Sequence, residues 1–365
     1  MLNIKKLARA EVFNFEPYVP GKPIDELKRE FGITEIYKLA SNENSIGPSK
    51  KMVAKITDIL TNVHRYPDSL CFDLRALLTE RLGVKSANLL FGNGSDEIIE
   101  LLGKTFLNKE DNVITSAHSF VRYAMAADLM GSTVKTSKMT DDLVVDLSEM
   151  LKLVDQNTKL IFIGNPNNPT GTYVKKVDFE KFMQEVPENV LVVMDEAYYE
   201  YAQIVNDYPE TIKMNYRNLI ILRTFSKLFG LAGLRLGYMI ADPEIVAVVD
   251  RVRPPFNVNL IAQIAAIESL KDEEHSQATL KMNQEGIKYL YEQFNEMGIK
   301  YIPTITNFIL FKTKIKGKEL FRKLLEKGVI IRAVDEYDLK DYARVTIGNL
   351  EENKKFIKAL REVLN

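Results

Sequence analysis

The sequence predicts an α/β protein, with a large domain built on a mostly parallel central sheet flanked by helices and a smaller α+β domain. From Asn88 onward, short apolar strand candidates alternate with turns and helical patterns, which is typical of parallel strands joined by crossover helices. Toward the C-terminus the pattern changes to strand, helix, strand, strand, helix, which is typical of a small α+β unit. With 365 residues, the chain is long enough for two domains.

The first 35 residues are predicted to form an arm. Pro17, Pro20 and Pro23 lie close together there, and prolines restrict φ and remove backbone donors, so neither a regular helix nor a central strand fits. A second break falls at the pair Pro254 and Pro255, inside an otherwise helical pattern. We therefore predict an N-terminal arm over 1–35, a large domain over 36–250 and a small domain over 251–365.

The composition disfavours several classes of protein. The net charge is −1, so no basic excess favours nucleic acid or an anionic membrane as a partner. No apolar run approaches the roughly 20 residues that span a bilayer, and the start of the chain lacks the apolar core of a signal peptide, so we expect a cytoplasmic protein. Cys71 is the only cysteine and the three histidines lie far apart, so neither an internal disulfide nor a metal site is expected.

An anion-binding arrangement is predicted near position 95. An apolar strand over 89–91 leads through a glycine turn to Ser95 and Asp96, and a helical pattern follows over 98–106. Free amides at Ser95 and Asp96 would face a phosphate, and the positive end of the helix dipole would strengthen that attraction. The glycine spacing is not that of a dinucleotide fingerprint. In the alternative interpretation, Ser95 is only a helix N-cap.

Polar residues follow two further buried strands. The strand over 160–163 breaks at a loop rich in proline and glycine, in which Asn168 before Pro169 is held extended and can donate to a phenolate oxygen. The strand over 190–194 leads to Asp195. A carboxylate in that position is costly without a cationic partner, and a protonated ring nitrogen is one such partner. A helix cap or a Mg²⁺ ligand is the alternative role.

The most informative stretch begins with the apolar strand over 221–223. A turn then presents Thr224, Ser226 and Lys227, and Arg235 follows after two glycines. Open α/β sheets place ligands at the ends of such strands, and a desolvated lysine near other cations loses its proton easily enough to attack a carbonyl. We therefore predict that Lys227 forms a Schiff base, among groups that bind phosphate. The alternative is an ordinary solvated loop lysine.

These segments resemble the fold-type I pyridoxal-phosphate aminotransferases. The resemblance is carried by Ser226 and Lys227 with the glycines and Arg235 that follow, and by Asn-Pro-Thr-Gly at 168–171. It implies the fold of that family and pyridoxal 5′-phosphate as cofactor, bound to Lys227. The implied catalytic residues are Lys227, Asp195 and Tyr198. The implied cofactor-binding residues are Ser95, Asp96, Phe120, Asn168, Asp195, Tyr198, Thr224, Ser226, Lys227, Arg235 and Tyr66.

The resemblance also implies separate roles for these residues. Asp195 holds the ring nitrogen, Phe120 stacks on the ring, and Asn168 and Tyr198 bond its 3-oxygen. Tyr66 reaches the cofactor phosphate of a second subunit, which implies a homodimer. The implied substrate-binding residues are Arg344 at a carboxylate, Arg332 and Tyr18 at a phosphate, and Asn42 in the loop that borders the active site. Surface ion pairs or packing remain the alternative for Arg344, Arg332 and Tyr18.

The segment over 253–259 resembles that of the histidinol-phosphate aminotransferases in particular. The implied reaction is transamination between L-histidinol phosphate and 2-oxoglutarate, giving imidazole-acetol phosphate and L-glutamate. An aromatic amino-acid aminotransferase is an alternative, because apolar pockets discriminate weakly among rings. A pyridoxal-phosphate decarboxylase of phosphorylated amino acids and a non-enzymatic sensor are the others.

Overall fold

The computed structural model describes residues 2–14 and 35–364. Within these ranges the strands are β1 (Tyr37–Lys38), β2 (Leu89–Gly92), β3 (Asn112–Ser116), β4 (Thr133–Ser137), β5 (Thr158–Gly164), β6 (Leu191–Asp195), β7 (Leu219–Thr224), β8 (Gly237–Ile240), β9 (Lys300–Ile302), β10 (Phe308–Lys312), β11 (Val329–Ile330), β12 (Arg332–Ala333) and β13 (Tyr342–Thr346). The helices of the same ranges are α1 (Ile4–Leu7), α2 (Lys50–Ile59), α3 (Phe72–Leu82), α4 (Ser95–Phe106), α5 (Arg122–Met130), α6 (Leu147–Lys152), α7 (Lys176–Glu185), α8 (Tyr199–Ala202), α9 (Pro243–Asp250), α10 (Leu260–Lys271), α11 (Glu273–Glu296), α12 (Gly317–Leu325) and α13 (Leu350–Leu364).

The larger sheet contains seven strands in the order β2-β8-β7-β6-β5-β3-β4. The strands from β7 to β4 run parallel to one another, whereas β8 is antiparallel to both β7 and β2. The prediction of a mostly parallel central sheet is therefore confirmed. Because parallel strands end at the same edge of a sheet, the segments that follow β5, β6 and β7 converge there.

Strands β5, β6 and β7 are buried on both faces, which explains why they are almost continuously apolar. Successive side chains of a strand point to opposite faces. In β5, Ile161 and Ile163 pack into one apolar core, and Leu160 and Phe162 pack into the core on the other face. A shift of one residue would exchange the two sets, so the position of each strand end is fixed by its packing.

The smaller sheet is antiparallel, with the order β12-β13-β10-β9. Leu290 and Phe294 of α11 and Phe356 and Leu360 of α13 share one apolar core with the strands of this sheet. The short strand β1 pairs in parallel with β11, so residues just after position 35 join this part of the structure. The α+β architecture predicted for the C-terminal region is confirmed.

The core of the larger sheet extends past position 250. Ala262 and Leu270 of α10 belong to the same apolar cluster as Leu74 and Leu78 of α3. The domain limits at 35 and 250 stay predictions. None of the helices in the described ranges combines the length and the apolar composition that crossing a membrane requires.

Candidate active site

A cavity opens at the carboxyl ends of β5, β6 and β7, beside the start of α4. It gathers every predicted cofactor-binding residue except Tyr66, together with Tyr123, Pro166 and Ala197. Its lining residues are Ser95, Asp96, Phe120, Tyr123, Pro166, Asn168, Asp195, Ala197, Tyr198, Thr224, Ser226, Lys227 and Arg235. The packing of one sheet edge thus brings together groups that are as far apart in the chain as Asp96 and Arg235, which are separated by 139 positions.

One end of the cavity suits an anion. Helix α4 begins at Ser95, and the first amides of a helix have no partner within it. The hydroxyl of Thr224 donates to that of Ser226 at 3.0 Å, and the guanidinium of Arg235 lies 3.3 Å from the Asp96 carboxylate. Amide donors, hydroxyls and a half-exposed cation therefore converge, which is the donor set that binds a phosphate.

Two glycines allow this end of the cavity to close. Gly94 has a φ of +79°, and a Cβ atom at that position would lie 2.7 Å from a guanidinium nitrogen of Arg235. A Cβ atom at Gly237, in β8, would lie 2.5 Å from the amide nitrogen of Ser95. Glycine at both positions lets the helix start, the arginine and the strand approach one another closely.

Lys227 lies just beyond the end of β7 and is half-buried. Its Nζ atom is 3.4 Å from the carbonyl oxygen of Ser41, to which it donates. Removal from water, with the positive charge of Arg344 as the second cause, lowers the pKa of the Lys227 amine to about 8. A substantial fraction of this amine is therefore neutral near physiological pH, as a nucleophile or a general base requires.

Asp195 ends β6 and is only 5% exposed. Its Oδ2 atom accepts a hydrogen bond from the Tyr123 hydroxyl at 2.8 Å, and its Oδ1 atom accepts one from the Ala197 amide at 3.1 Å. Burial raises the pKa of this carboxyl to about 6, and the Tyr123 hydrogen bond opposes that rise. No cation pairs with Asp195 among residues 2–14 and 35–364, so a cationic ligand would supply the missing partner.

Tyr198 is buried beside Asn42. The side-chain amide of Asn42 donates to the Tyr198 hydroxyl oxygen at 2.8 Å, which leaves the phenolic proton available for donation to a ligand. Burial raises the pKa of Tyr198, so its hydroxyl keeps this proton. Asn42 is itself held by its backbone amide, which donates to the Thr346 hydroxyl at 2.9 Å.

Arg344 of β13, in the smaller sheet, is 6% exposed and contacts the cavity through the lining residue Asn168. One guanidinium nitrogen donates to the side-chain oxygen of Asn168, and another donates to the Ala40 carbonyl oxygen at 2.8 Å. The bond to Arg344 occupies the oxygen of the Asn168 amide, so the amide nitrogen remains the donor for a ligand. The Nε atom of Arg344 is buried and has no hydrogen-bond partner within the described ranges.

Two predicted residues, Arg332 and Tyr66, lie away from the cavity of their own chain. Arg332 is half-buried outside the cavity lining and donates to both carboxylate oxygens of Glu336, at 2.6 and 2.8 Å. Tyr66 is 83% exposed and stacks on Phe256, with 4.7 Å between ring centroids, so it does not line the cavity of its own chain. Tyr18 lies outside the described residues.

Sequence reasoning missed two features of the site. Tyr123 is one, because its carboxylate partner lies 72 positions away and no local pattern indicates that contact. The other is the buried ion pair of Arg223 with Glu196, whose Nε to Oε2 distance is 2.9 Å. A charged residue inside the apolar strand β7, and another directly after the apolar strand β6, were the available signal, since a buried charge needs a partner.

The family model for class I and II aminotransferases matches residues 34–360. The chain belongs to this family. Among curated relatives, this aminotransferase is 45% identical over 360 residues to a histidinol-phosphate aminotransferase of Moorella thermoacetica, which covers 98% of this chain and 92% of the relative. It is 42% identical over 360 residues to histidinol-phosphate aminotransferase 2 of Carboxydothermus hydrogenoformans, covering 98% and 99% of the two chains.

A solved structure shares the fold of this aminotransferase. It is the histidinol-phosphate aminotransferase of Sinorhizobium meliloti in complex with pyridoxal 5′-phosphate, with a TM-score of 0.85 and 26% sequence identity. The match covers 96% of this chain and 97% of the other. The fold predicted from the sequence, that of the fold-type I pyridoxal-phosphate aminotransferases, is therefore confirmed.

Proposed function

We propose that this aminotransferase uses pyridoxal 5′-phosphate to exchange an amino group between L-histidinol phosphate and 2-oxoglutarate, a step of histidine biosynthesis. The products are imidazole-acetol phosphate and L-glutamate. The substrate is supported by curated relatives of that name, which are 41–45% identical over 98% of the chain. The observation that carries the chemistry is a half-buried lysine, Lys227, whose pKa is lowered to about 8, in one cavity with the buried carboxylate of Asp195.

The residues of the cavity fit the cofactor at both ends. The start of α4 with Thr224, Ser226 and Arg235 suits the phosphate group. At the other end Asp195 suits a protonated ring nitrogen, since its carboxylate is buried and has no cationic partner among the described residues. When bound, pyridoxal phosphate supplies a carbonyl that condenses with amines and a ring that draws electrons from the substrate α-carbon.

Lys227 is proposed to act as the base and then the acid of the reaction. Its neutral Nζ atom takes the proton from the α-carbon of the substrate and later returns a proton. Asp195 would hold the ring nitrogen, and the hydroxyl of Tyr198 and the amide nitrogen of Asn168 would be the donors available to the ring oxygen. Phe120 lines the same cavity, and its flat apolar face would hold the ring.

Substrate binding is proposed to involve both sheets. Arg344 can present its planar donors to the carboxylate of glutamate or to the phosphate of histidinol phosphate. Arg332 and Tyr18 are proposed as further phosphate ligands. Asn42 contributes through its hydrogen bond to Tyr198 at 2.8 Å, which keeps that hydroxyl oriented.

We further propose a homodimer in which Tyr66 of the partner subunit completes the phosphate site. The exposure of Tyr66, at 83%, is consistent with a role outside its own chain. A cytoplasmic location also remains part of the proposal.

The proposed reaction is tested by single-turnover absorbance measurements on the holoprotein. L-Histidinol phosphate and L-phenylalanine are mixed with it separately, and we expect rapid conversion of the cofactor to its amine form with the first and much slower conversion with the second. Faster conversion by phenylalanine would move the protein to aromatic amino-acid metabolism, and no conversion by either would reject the substrate class. Lys227→Ala should bind the cofactor and lose turnover, so substantial residual transamination would reject the assignment of Lys227.

A further inference from the structure

Tyr123 contacts the most deeply buried carboxylate of the cavity. It lies in the first turn of α5 and is 2% exposed, and its hydroxyl donates to Oδ2 of Asp195 at 2.8 Å. Among the described residues, the Tyr123 hydroxyl and the Ala197 amide are the groups that donate hydrogen bonds to the Asp195 carboxylate. A hydrogen bond to an ionised carboxylate is stronger than one between neutral groups, so this contact favours the charged form of Asp195.

The Tyr123 ring is held on two sides. It stacks on Phe162 of β5 at 5.1 Å with an interplanar angle of 5°, and Phe120 meets it edge to face at 5.7 Å. Phe162 is fully buried in the core of the larger sheet. The hydroxyl is therefore fixed in place by packing, and the Asp195 carboxylate takes its orientation from it.

The charges around Asp195 work against its ionisation. The carboxylates of Asp96 and Glu196 repel a negative charge there, and burial removes the water that would stabilise it. The Tyr123 hydroxyl and the Ala197 amide oppose these effects. The tyrosine thus counteracts an environment that raises the pKa of Asp195 and disfavours its charged form.

We propose that Tyr123 is a positioning residue that keeps Asp195 ionised and in one orientation, and thereby gives the site its preference for a cofactor ring with a protonated nitrogen. This inference rests on the proposed function, because it assigns Asp195 to the ring nitrogen. Tyr123 acts through Asp195 and does not itself take part in proton transfer at the substrate.

The test compares two ligands that differ in one ring atom. Dissociation constants are measured for pyridoxal 5′-phosphate and for 1-deazapyridoxal 5′-phosphate, which has a C–H group in place of the ring nitrogen. Tyr123→Phe should weaken binding of the cofactor about tenfold and leave binding of the analogue unchanged. The matched control is Tyr173→Phe, because Tyr173 also donates to a carboxylate, Asp207 at 2.7 Å, but lies outside the cavity lining. It should leave both dissociation constants unchanged.

A second variant separates positioning from general damage. In an Asp195→Ala background, adding Tyr123→Phe should not change the ratio of the two dissociation constants any further. The inference would be overturned if Tyr123→Phe left the ratio of the two dissociation constants unchanged, whether both ligands bound equally more weakly or neither did. The proposed function would then remain intact. A wild-type protein without any preference for the ring nitrogen would overturn both the inference and the role proposed for Asp195.

Discussion

Lys227 and Arg344 are coupled by charge. Burial is the larger cause of the lowered pKa of Lys227, and the second cause is the positive charge of Arg344. The arginine proposed to bind the substrate therefore also helps to keep the lysine amine neutral. An anion that binds to Arg344 would offset this effect, so the protonation of Lys227 depends on what the arginine holds.

This coupling predicts how the chemical reactivity of Lys227 depends on pH in the cofactor-free protein. An amine reagent modifies only the neutral form, so modification of Lys227 should rise with a midpoint near pH 8, well below the ordinary lysine value of 10.5. Arg344→Gln should move the midpoint to higher pH, because it removes the second cause of the lowered pKa. Mass spectrometry of the modified peptide measures both midpoints. Modification of the exposed Lys281 in the same sample corrects for the change of the reagent's own reactivity with pH. A midpoint near 10.5 would contradict the proposed environment of the amine.

Among the elements, the contact of β8 with the start of α4 shapes the phosphate end of the cavity. Gly237 lies opposite Thr224 in the pairing of β8 with β7, and its backbone approaches the amide of Ser95. Two groups proposed to bind phosphate, the Thr224 hydroxyl and the Ser95 amide, therefore depend on the spacing between strand β8 and the start of helix α4. Serine and threonine are common residue types, so it is the close approach of β8 to the start of α4 that gives this end of the cavity its donors for a phosphate.

Enlarging Gly237 should open this contact. Gly237→Ala places a Cβ atom 2.5 Å from the Ser95 amide nitrogen, so we expect a loss of about 1–3 kcal/mol in unfolding free energy and weaker cofactor binding. Gly233→Ala is the matched control, because a Cβ atom there meets nothing within 4 Å. It should change stability by no more than about 0.5 kcal/mol. Urea unfolding and cofactor titration measure the effects, and equal behaviour of the two variants would argue against a close-contact role.

The central elements were predictable because buried parallel strands have a strong signal. Runs such as 160–163 and 190–194 are apolar on both faces, and each is followed by a break, so both the strand and its functional end are visible in the sequence. Strand β4 was not predicted, since it lies at the sheet edge, where its Thr and Lys residues face partly to solvent. Edge strands lack the apolar pattern that identifies central ones.

Contacts between distant elements were not predictable in the same way. The sequence indicates that Asp195 needs a partner, but it does not indicate that Tyr123 donates to it. For Asn168, the loop motif was informative, whereas its bond to Arg344, 176 positions away, depends on how the smaller sheet meets the larger one. The residue types of a site follow from local patterns, and its hydrogen-bond network follows from tertiary packing.

At the scale of the whole molecule, the proposed dimer predicts a specific form of complementation. Tyr66→Phe keeps the aromatic contact with Phe256 but loses the hydroxyl, so the variant homodimer should bind the cofactor more weakly. In a hybrid dimer of Tyr66→Phe and Lys227→Ala chains, one site would contain both intact residues. That hybrid should recover near wild-type turnover at its single complete site when the cofactor is limiting.

Differently tagged chains allow this hybrid to be purified and assayed. The Lys227→Ala homodimer should be inactive, and the Tyr66→Phe homodimer should be impaired at low cofactor concentration. If the hybrid is no more active per lysine than the Tyr66→Phe homodimer, then Tyr66 acts within its own chain or not at all. A monomeric wild-type protein by size-exclusion chromatography with light scattering would reject the dimer directly.

The bond between the Asn42 amide and the Thr346 hydroxyl has a consequence for the order of folding. These residues are 304 positions apart, whereas Thr224 and Gly237, which bracket Lys227 and Arg235, pair across a short connection. Closing a long loop is slower and entropically more costly than closing a short one. During refolding we therefore expect the amides of β7 and β8 to gain protection from hydrogen exchange before the Asn42 amide. Pulse labelling measures this order, and simultaneous protection would show that both halves of the cavity form in a single step.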